Sequence, residues 1–370
     1  MFCNSSIVIK VSALISCLLL LIWYAVDDDV PRSPTTWITS HVDIVPLKAN
    51  ITKSTTEAYT STTTIIKPVM KVNIDHRPFR RCKLVVCSIG NLGNQIWEYM
   101  SLFVVWKRFL NSNYTPYIEE RMWTTLKVLF PKLSIMPTWN GICNIYRRRI
   151  IPRNNNLSDY ERWFTNDRYC QDIFLEEYSS RYDDVIEYGV DEIRKEMKYD
   201  EGLVQDCQMV LQGFKTRFGL ENETVTFIGL HYRGTDYVNH LNINYGNYNP
   251  KIPDYHYYTK AMDYFMKKYQ NIIFILLSID IQWLNTNAQF IESKGKNVIV
   301  NPYINDRDHD LVLLSNCNHS IINYGSYGVT GALFNGGETI VYDLKLPLDH
   351  RGSTLAMGIA EILENWYLLH

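Results

Sequence analysis

Five short apolar runs decide the fold of this chain: TVTFIGLHY (224–232), NIIFILLS (271–278), NVIV (297–300), SIINY (320–324) and TIVY (339–342). Each is short and mostly β-branched or aromatic, as expected of strands buried on both faces. Between them lie segments with the spacing of helices, at 255–269, 281–293, 308–316 and 326–335. Regular β/α alternation predicts a doubly wound parallel sheet whose ligands lie outside the carboxyl ends of its strands. Three polar clusters fall at such ends: His231-Tyr232-Arg233-Gly234-Thr235-Asp236, Ser278-Ile279-Asp280 and Gly325-Ser326-Tyr327-Gly328. One cluster alone reads as turn chemistry, whereas three on one edge predict a site.

Working outward, KLVVCSI (83–89) leads into Gly90-Asn91-Leu92-Gly93-Asn94-Gln95 and an amphipathic stretch over 96–110. That is strand, glycine turn and helix, a unit that aims backbone N–H groups at anions or polar sugars, or one whose glycines serve backbone geometry alone. The chain from 114 to 220 carries Trp123, Trp139 and Trp163, a basic run Arg147-Arg148-Arg149 that reads as a solvated face, and a helical pattern over 185–218, but no motif. We therefore expect an amino-terminal lobe at 81–222 and a carboxyl-terminal Rossmann-like lobe at 223–370.

The first 80 residues differ from the rest. IVIKVSALISCLLLLIWYAV (7–26) would rise about 30 Å as a helix, enough to span a bilayer. Lys10 at one end, Trp23 and Tyr24 at the other and the solvated triplet Asp27-Asp28-Asp29 beyond predict a retained anchor with the amino end, 1–6, in the cytosol; a cleaved signal peptide is the competing reading. Residues 27–80, rich in Ser, Thr and Pro, read as a disordered stem. Asn50, Asn113, Asn156, Asn222 and Asn318 head sequons on the outer side, and the even count of Cys82, Cys87, Cys143, Cys170, Cys207 and Cys317 is compatible with three disulfides among fifteen pairings. A formal charge of -2 provides no basic field for nucleic acid.

A sugar nucleotide would ask this edge to stabilise a departing diphosphate. Asp183-Asp184 and Asp306-Arg307-Asp308 make unconvincing metal motifs, the second reading as a helix cap, and no CxxC or paired Cys/His spacing suggests zinc. A guanidinium bonds phosphate oxygens bidentately and can replace a cation. Arg233 is the candidate, its bland alternative being a simple pair with Asp236 across a turn. Ser326 is expected to serve as helix cap and phosphate donor. Asp310, in the first turn of the preceding helix, is a further candidate for the base or ribose.

GNLGNQIWEYMSL (90–102), HYRGTDYV (231–238), FILLSIDIQWL (274–284) and DLVLLSNCNHSIINYGSYGVTGALFNGG (310–337) resemble, in order, the motifs of the α-1,2-fucosyltransferases of glycosyltransferase family 11. The resemblance implies a two-lobed GT-B fold, GDP-β-L-fucose as donor, no metal requirement, inverting transfer to O-2 of a galactose-containing glycan, and a type II Golgi membrane protein with a lumenal catalytic domain. It assigns Arg233 to the β-phosphate, His231 and Asp236 to the same HxRxxD element, Gly325 and Ser326 to the diphosphate, and Gly90, Gly93, Asn94 and Gln95 to the opposite cleft wall. The general base is left among Asp236, Glu98 and His231. Gly234 stands where a second Arg is common, Ile279 where an Asp is, and Thr330 where an aromatic is. A fucosyltransferase of another linkage, and a catalytically silent glycan-binding protein, are the alternatives.

Overall fold

Two parallel sheets carry the fold. The computed structural model describes residues 81–370, apart from 88–89, 111, 146–149, 152–159, 162–163, 165–171, 177, 235, 303–305 and 348–353. The first sheet has the order β3-β2-β1-β5-β4, from β1 (Cys82–Cys87), β2 (Tyr114–Glu119), β3 (Met136–Thr138), β4 (Ile150–Ile151) and β5 (Ile173–Glu176). The second runs β11-β10-β9-β6-β7-β8, from β6 (Thr226–His231), β7 (Ile272–Leu277), β8 (Val298–Val300), β9 (His319–Ile322), β10 (Thr339–Tyr342) and β11 (Trp366–Leu369). Every pairing is parallel, with His231 opposite both Leu277 and Ile322. Counted from β6, this is the Rossmann order, and it reverses between β6 and β9; a ligand crevice is expected at that switch point.

Helices α1 (Leu92–Arg108), α2 (Glu120–Leu129), α3 (Ile142–Ile145), α4 (Tyr182–Tyr188), α5 (Val190–Glu196) and α6 (Glu201–Arg217) belong to the chain that builds the first sheet and the link onward. Helices α7 (Tyr237–Tyr245), α8 (Tyr255–Lys268), α9 (Ile281–Lys294), α10 (Arg307–Ser315), α11 (Ser326–Asn335) and α12 (Leu355–Ala360) accompany the second. Helix α1 is buried on nearly every face, Glu98 and Ser101 included, because it packs against β1 and β2, against α4, and against α11 of the second sheet.

The α/β reading and the parallel sheets hold; the boundaries shift. Helix α1 begins at Leu92 rather than 96, since Leu92 and Gly93 are already buried in its first turn. The helical pattern over 185–218 is three helices, broken at Gly189 (φ 120°) and restarted where Asp200 accepts hydrogen bonds from the N–H groups of Gly202 and Leu203. Strand β11 and helix α7 lay outside the expected elements.

Cys87 and Cys143 form a disulfide, and Cys82 is disulfide-bonded as well, but Cys207 and Cys317 are free and buried, which corrects the expectation of three bridges. Their thiols point at the backbone carbonyls of His309 and Leu313, along α10. Among the described residues no helix is long and apolar enough to cross a membrane; the anchor over 7–26 and the stem over 27–80 lie outside them.

Candidate functional site

The switch point is clamped by one amide. Asn323, just past β9 and 1% exposed, accepts a hydrogen bond from the Arg233 N–H through Oδ1 (3.1 Å) and donates one to the Arg233 carbonyl through Nδ2 (3.1 Å). The backbone leaving β6 is thereby fixed across the gap to β9. Asn323 was not singled out in the sequence, although its place directly before Tyr324-Gly325-Ser326 was the available signal.

The Arg233 side chain lies against Gly325, where an added Cβ would come within 3.0 Å of its Cδ and 3.3 Å of Nη1. Gly325 also has φ +132°, so glycine is required here twice over. Gly325, and not Ser326 as expected, is the N-cap of α11, and it offers no capping side chain, so the positive end of that helix dipole is not offset by a cap. A guanidinium and the positive end of a helix dipole thus adjoin, and both favour an anion. The pair with Asp236 is present, Nη2 to Oδ2 at 2.9 Å. It occupies one nitrogen of a group with five N–H donors, and Asp236 is exposed, so the pair does not close the site.

His231, the last residue of β6, is buried, and its carbonyl accepts from the Tyr258 hydroxyl (3.0 Å). Its ring stacks on Tyr327 at 5.2 Å, and a Cβ at Gly328 would approach Nδ1 to 2.7 Å. Burial, and secondarily the charge of Arg233, push its pKa down to about 3, so the imidazole is neutral. Of the three candidate bases, Glu98 (1% exposed) and His231 are buried, and Asp236 alone is exposed to solvent.

The opposite wall comes from the first sheet. Gly90 has φ +88°, and its carbonyl accepts from Gln95 Nε2 (3.1 Å), which holds the turn before α1. Ser326 donates to Asn94 Oδ1 at 2.6 Å. A Cβ at Gly93 would meet the Tyr327 nitrogen at 2.5 Å and Ser326 Oγ at 2.8 Å. The amino ends of α1 and α11, neither capped by a side chain, therefore touch. The structure gathers Gly93, Asn94, Gly325, Ser326, His231, Arg233 and Asp236; Gly90 and Gln95 shape the turn behind them. Asp310 hydrogen-bonds Asn301 (2.5 Å) and lies close enough to Tyr327 for its charge to add, after burial, to the upward shift of that phenol; burial raises its own pKa to about 7 against the opposing pull of the Asn301 bond.

Two departures and two acidic motifs also find their places. Gly234 is buried against Asp280, whose Oδ1 caps α9 by accepting from the Trp283 N–H (2.9 Å). Ile279 is half exposed beside it. Asp184 accepts from the Arg181 N–H in a capping box, and Asp306 caps α10 through the His309 N–H (3.0 Å), so both motifs do helix-end work.

Two parallel sheets meeting at helix amino ends, with one guanidinium between them, define a protein built to hold an anionic ligand at a switch point. The family model of glycosyl transferase family 11 matches residues 52–367, and the chain belongs to that family. The match starts within the stretch read as stem. Among its relatives, the galactoside alpha-(1,2)-fucosyltransferase 2 of Mus musculus is 27% identical over 266 residues, 68% of each chain. The galactoside 2-alpha-L-fucosyltransferase Sec1 of the same species is 26% identical over 268 residues, 68% of this chain and 64% of the relative. Among solved structures, POFUT1 in complex with GDP aligns with a TM-score of 0.44 at 10% identity, over 69% of this chain and 94% of its own. NodZ alpha-1,6-fucosyltransferase with GDP gives 0.43 at 12%, over 71% and 95%.

Proposed function

We propose that the protein is an inverting galactoside 2-α-L-fucosyltransferase. GDP-fucose is the donor, and O-2 of a terminal galactose on a glycan is the acceptor. Family membership and relatives named for that activity support the reading, and the observation that carries it is the Arg233 guanidinium packed on Gly325 at the uncapped end of α11. In the reaction the acceptor oxygen bonds to the anomeric carbon, the bond from that carbon to the β-phosphate oxygen breaks, and GDP leaves with an additional negative charge. Arg233 and the positive end of the α11 dipole stabilise that charge as it develops, a role this reading gives to no divalent cation. The proton lost by the acceptor passes to a general base on the face of the sugar opposite the leaving group, whereas Asp236, paired with Arg233, orients the guanidinium on the phosphate side.

The same reading makes the two sheets the two lobes of a GT-B enzyme, 81–222 on the acceptor side and 223–370 binding the donor, held at the Golgi membrane by a span over 7–26. Arg233→Ala should lower transfer by about two to three orders of magnitude, the scale of removing a preorganised charge-stabilising donor. Release of GDP from GDP-fucose with a galactose-terminated acceptor measures it, with linkage analysis of the product. Turnover like the wild type in that variant, with the protein folded, sinks the mechanism; loss of activity in EDTA sinks the role of arginine in place of a cation.

A further inference from the structure

Trp139 lies at the carboxyl end of β3 and is 49% exposed. It stands on a loop fastened at three points. Asn140 Oδ1 accepts from the Arg121 N–H (2.8 Å), at the start of α2 just past β2. Ile142, 3% exposed, packs with Val85 and Phe174 on the face of the first sheet. Cys143 is disulfide-bonded to Cys87, the last residue of β1. Gly141, at φ +86°, backs the indole, with a Cβ position 3.5 Å from Cζ3.

An exposed tryptophan on a mobile loop needs no explanation, but one on a braced loop is a preorganised flat apolar surface. Its position is defined by the sheet. The loops after β1, β2 and β3 are tied together at one edge, and the loop after β1 continues through Gly90 to Gly93 and Asn94, which touch Ser326 and Tyr327. Trp139 therefore shares the edge that faces the donor site. It is displaced from β1 by two strand spacings, roughly 10 Å, the length of about two pyranose units.

We infer that Trp139 is an acceptor-specificity residue, a stacking platform for the sugar on the reducing side of the galactose that receives fucose. The chemistry is that of a π face against the apolar C–H face of a pyranose ring, with the polar rim of the sugar left to solvent. The inference rests on the fucosyltransferase reading and adds to it the class of acceptor: an oligosaccharide engaged beyond its terminal residue.

The test compares KM and kcat of the full chain for methyl β-galactoside and for a galactose-terminated trisaccharide, at saturating GDP-fucose. The wild type should show the lower KM for the trisaccharide. Trp139→Ala should raise that KM about three- to tenfold, the range of one aromatic contact, leave kcat unchanged and leave the monosaccharide KM unmoved. Trp139→Phe should restore most of the preference, and Trp139→Leu, which keeps apolar bulk without a π face, should not. Equal trisaccharide KM in wild type and Trp139→Ala overturns the inference while leaving the enzyme reading intact. Release of no GDP by the wild type with any acceptor overturns both.

Discussion

Substituting Gly234 by alanine tests the tightest packing in the site. An added Cβ would lie 2.2 Å from Asp280 Cβ, 2.2 Å from its Oδ2 and 2.6 Å from its Cγ. Carbon atoms rest at about 3.5–4.0 Å, so one side chain must move by more than an ångström. Gly234 is not among the residues with positive φ, so alanine is sterically permitted by its own backbone and the collision is the whole effect. Overpacking of this kind costs about 1–3 kcal/mol. Displacing Asp280 also breaks the cap on Trp283, about 1 kcal/mol more. Gly234→Ala should therefore destabilise by about 2–4 kcal/mol, read as a lower urea midpoint at unchanged slope. Asp280→Gly removes the obstacle at a cost of a few tenths of a kcal/mol, since glycine is tolerated at an N-cap. In the double variant most of the loss should return, a coupling of at least about 1 kcal/mol in a double-mutant cycle. Additive losses, or a Gly234→Ala protein as stable as the wild type, would refute the argument that Asp280 holds position 234 to glycine.

Two further outcomes follow from burial. The carboxyl of Asp310 titrates at about 7 in the fold because burial disfavours its charge, so the folded state binds a proton that the unfolded chain releases near 4; this group's contribution to stability should fall as pH rises from about 4 to 7. Asp310→Asn should flatten that part of the profile, and urea midpoints of both proteins at pH 5 and 7.5 measure it. Asn113, Asn222 and Asn318 are all exposed; the first two should carry glycan, whereas Asn318, whose amide oxygen and sequon hydroxyl are both engaged, should stay bare in the folded protein, as peptide mapping by mass spectrometry would show. Its Oδ1 accepts from the Phe227 N–H (2.8 Å), and the hydroxyl of Ser320, which completes the sequon, is buried and bonded to Asn335.

The second sheet was legible because its strands are unmixed apolar runs, buried on both faces; β7 is IIFILL with every residue buried. The first sheet was not, beyond β1. Strand β2, YTPYIE, contains a proline and alternates buried with half-buried positions, β3 has three residues and β4 two, lengths at which periodicity carries no signal. The residues of the site divide in the same way. Arg233, Ser326 and the glycines stood out as polar or flexible residues at strand ends. Their mutual contacts did not, because Gly93 on Tyr327 and Asn94 on Ser326 are separated by more than 200 residues and depend on how α1 meets α11. Asp310 read as a neighbour of the site from its place in α10, and its charge reaches Tyr327; its burial and its bond to Asn301 were not legible. The even cysteine count misled because it says nothing of burial: Cys207 and Cys317 are packed along α10 as small apolar groups.

The meeting of α1 and α11 brings two partial positive charges together, and like charges repel. Held by Gly93 against Tyr327 and by the Ser326 bond to Asn94, this contact works against its own electrostatics. An anion seated beside that contact, where Arg233 lies on Gly325, turns that repulsion into a shared attraction. The grip on the donor and the cohesion of the two sheets are then one coupling free energy: whatever loosens the sheets weakens the donor's hold, and the departure of GDP relaxes the sheets in equal measure.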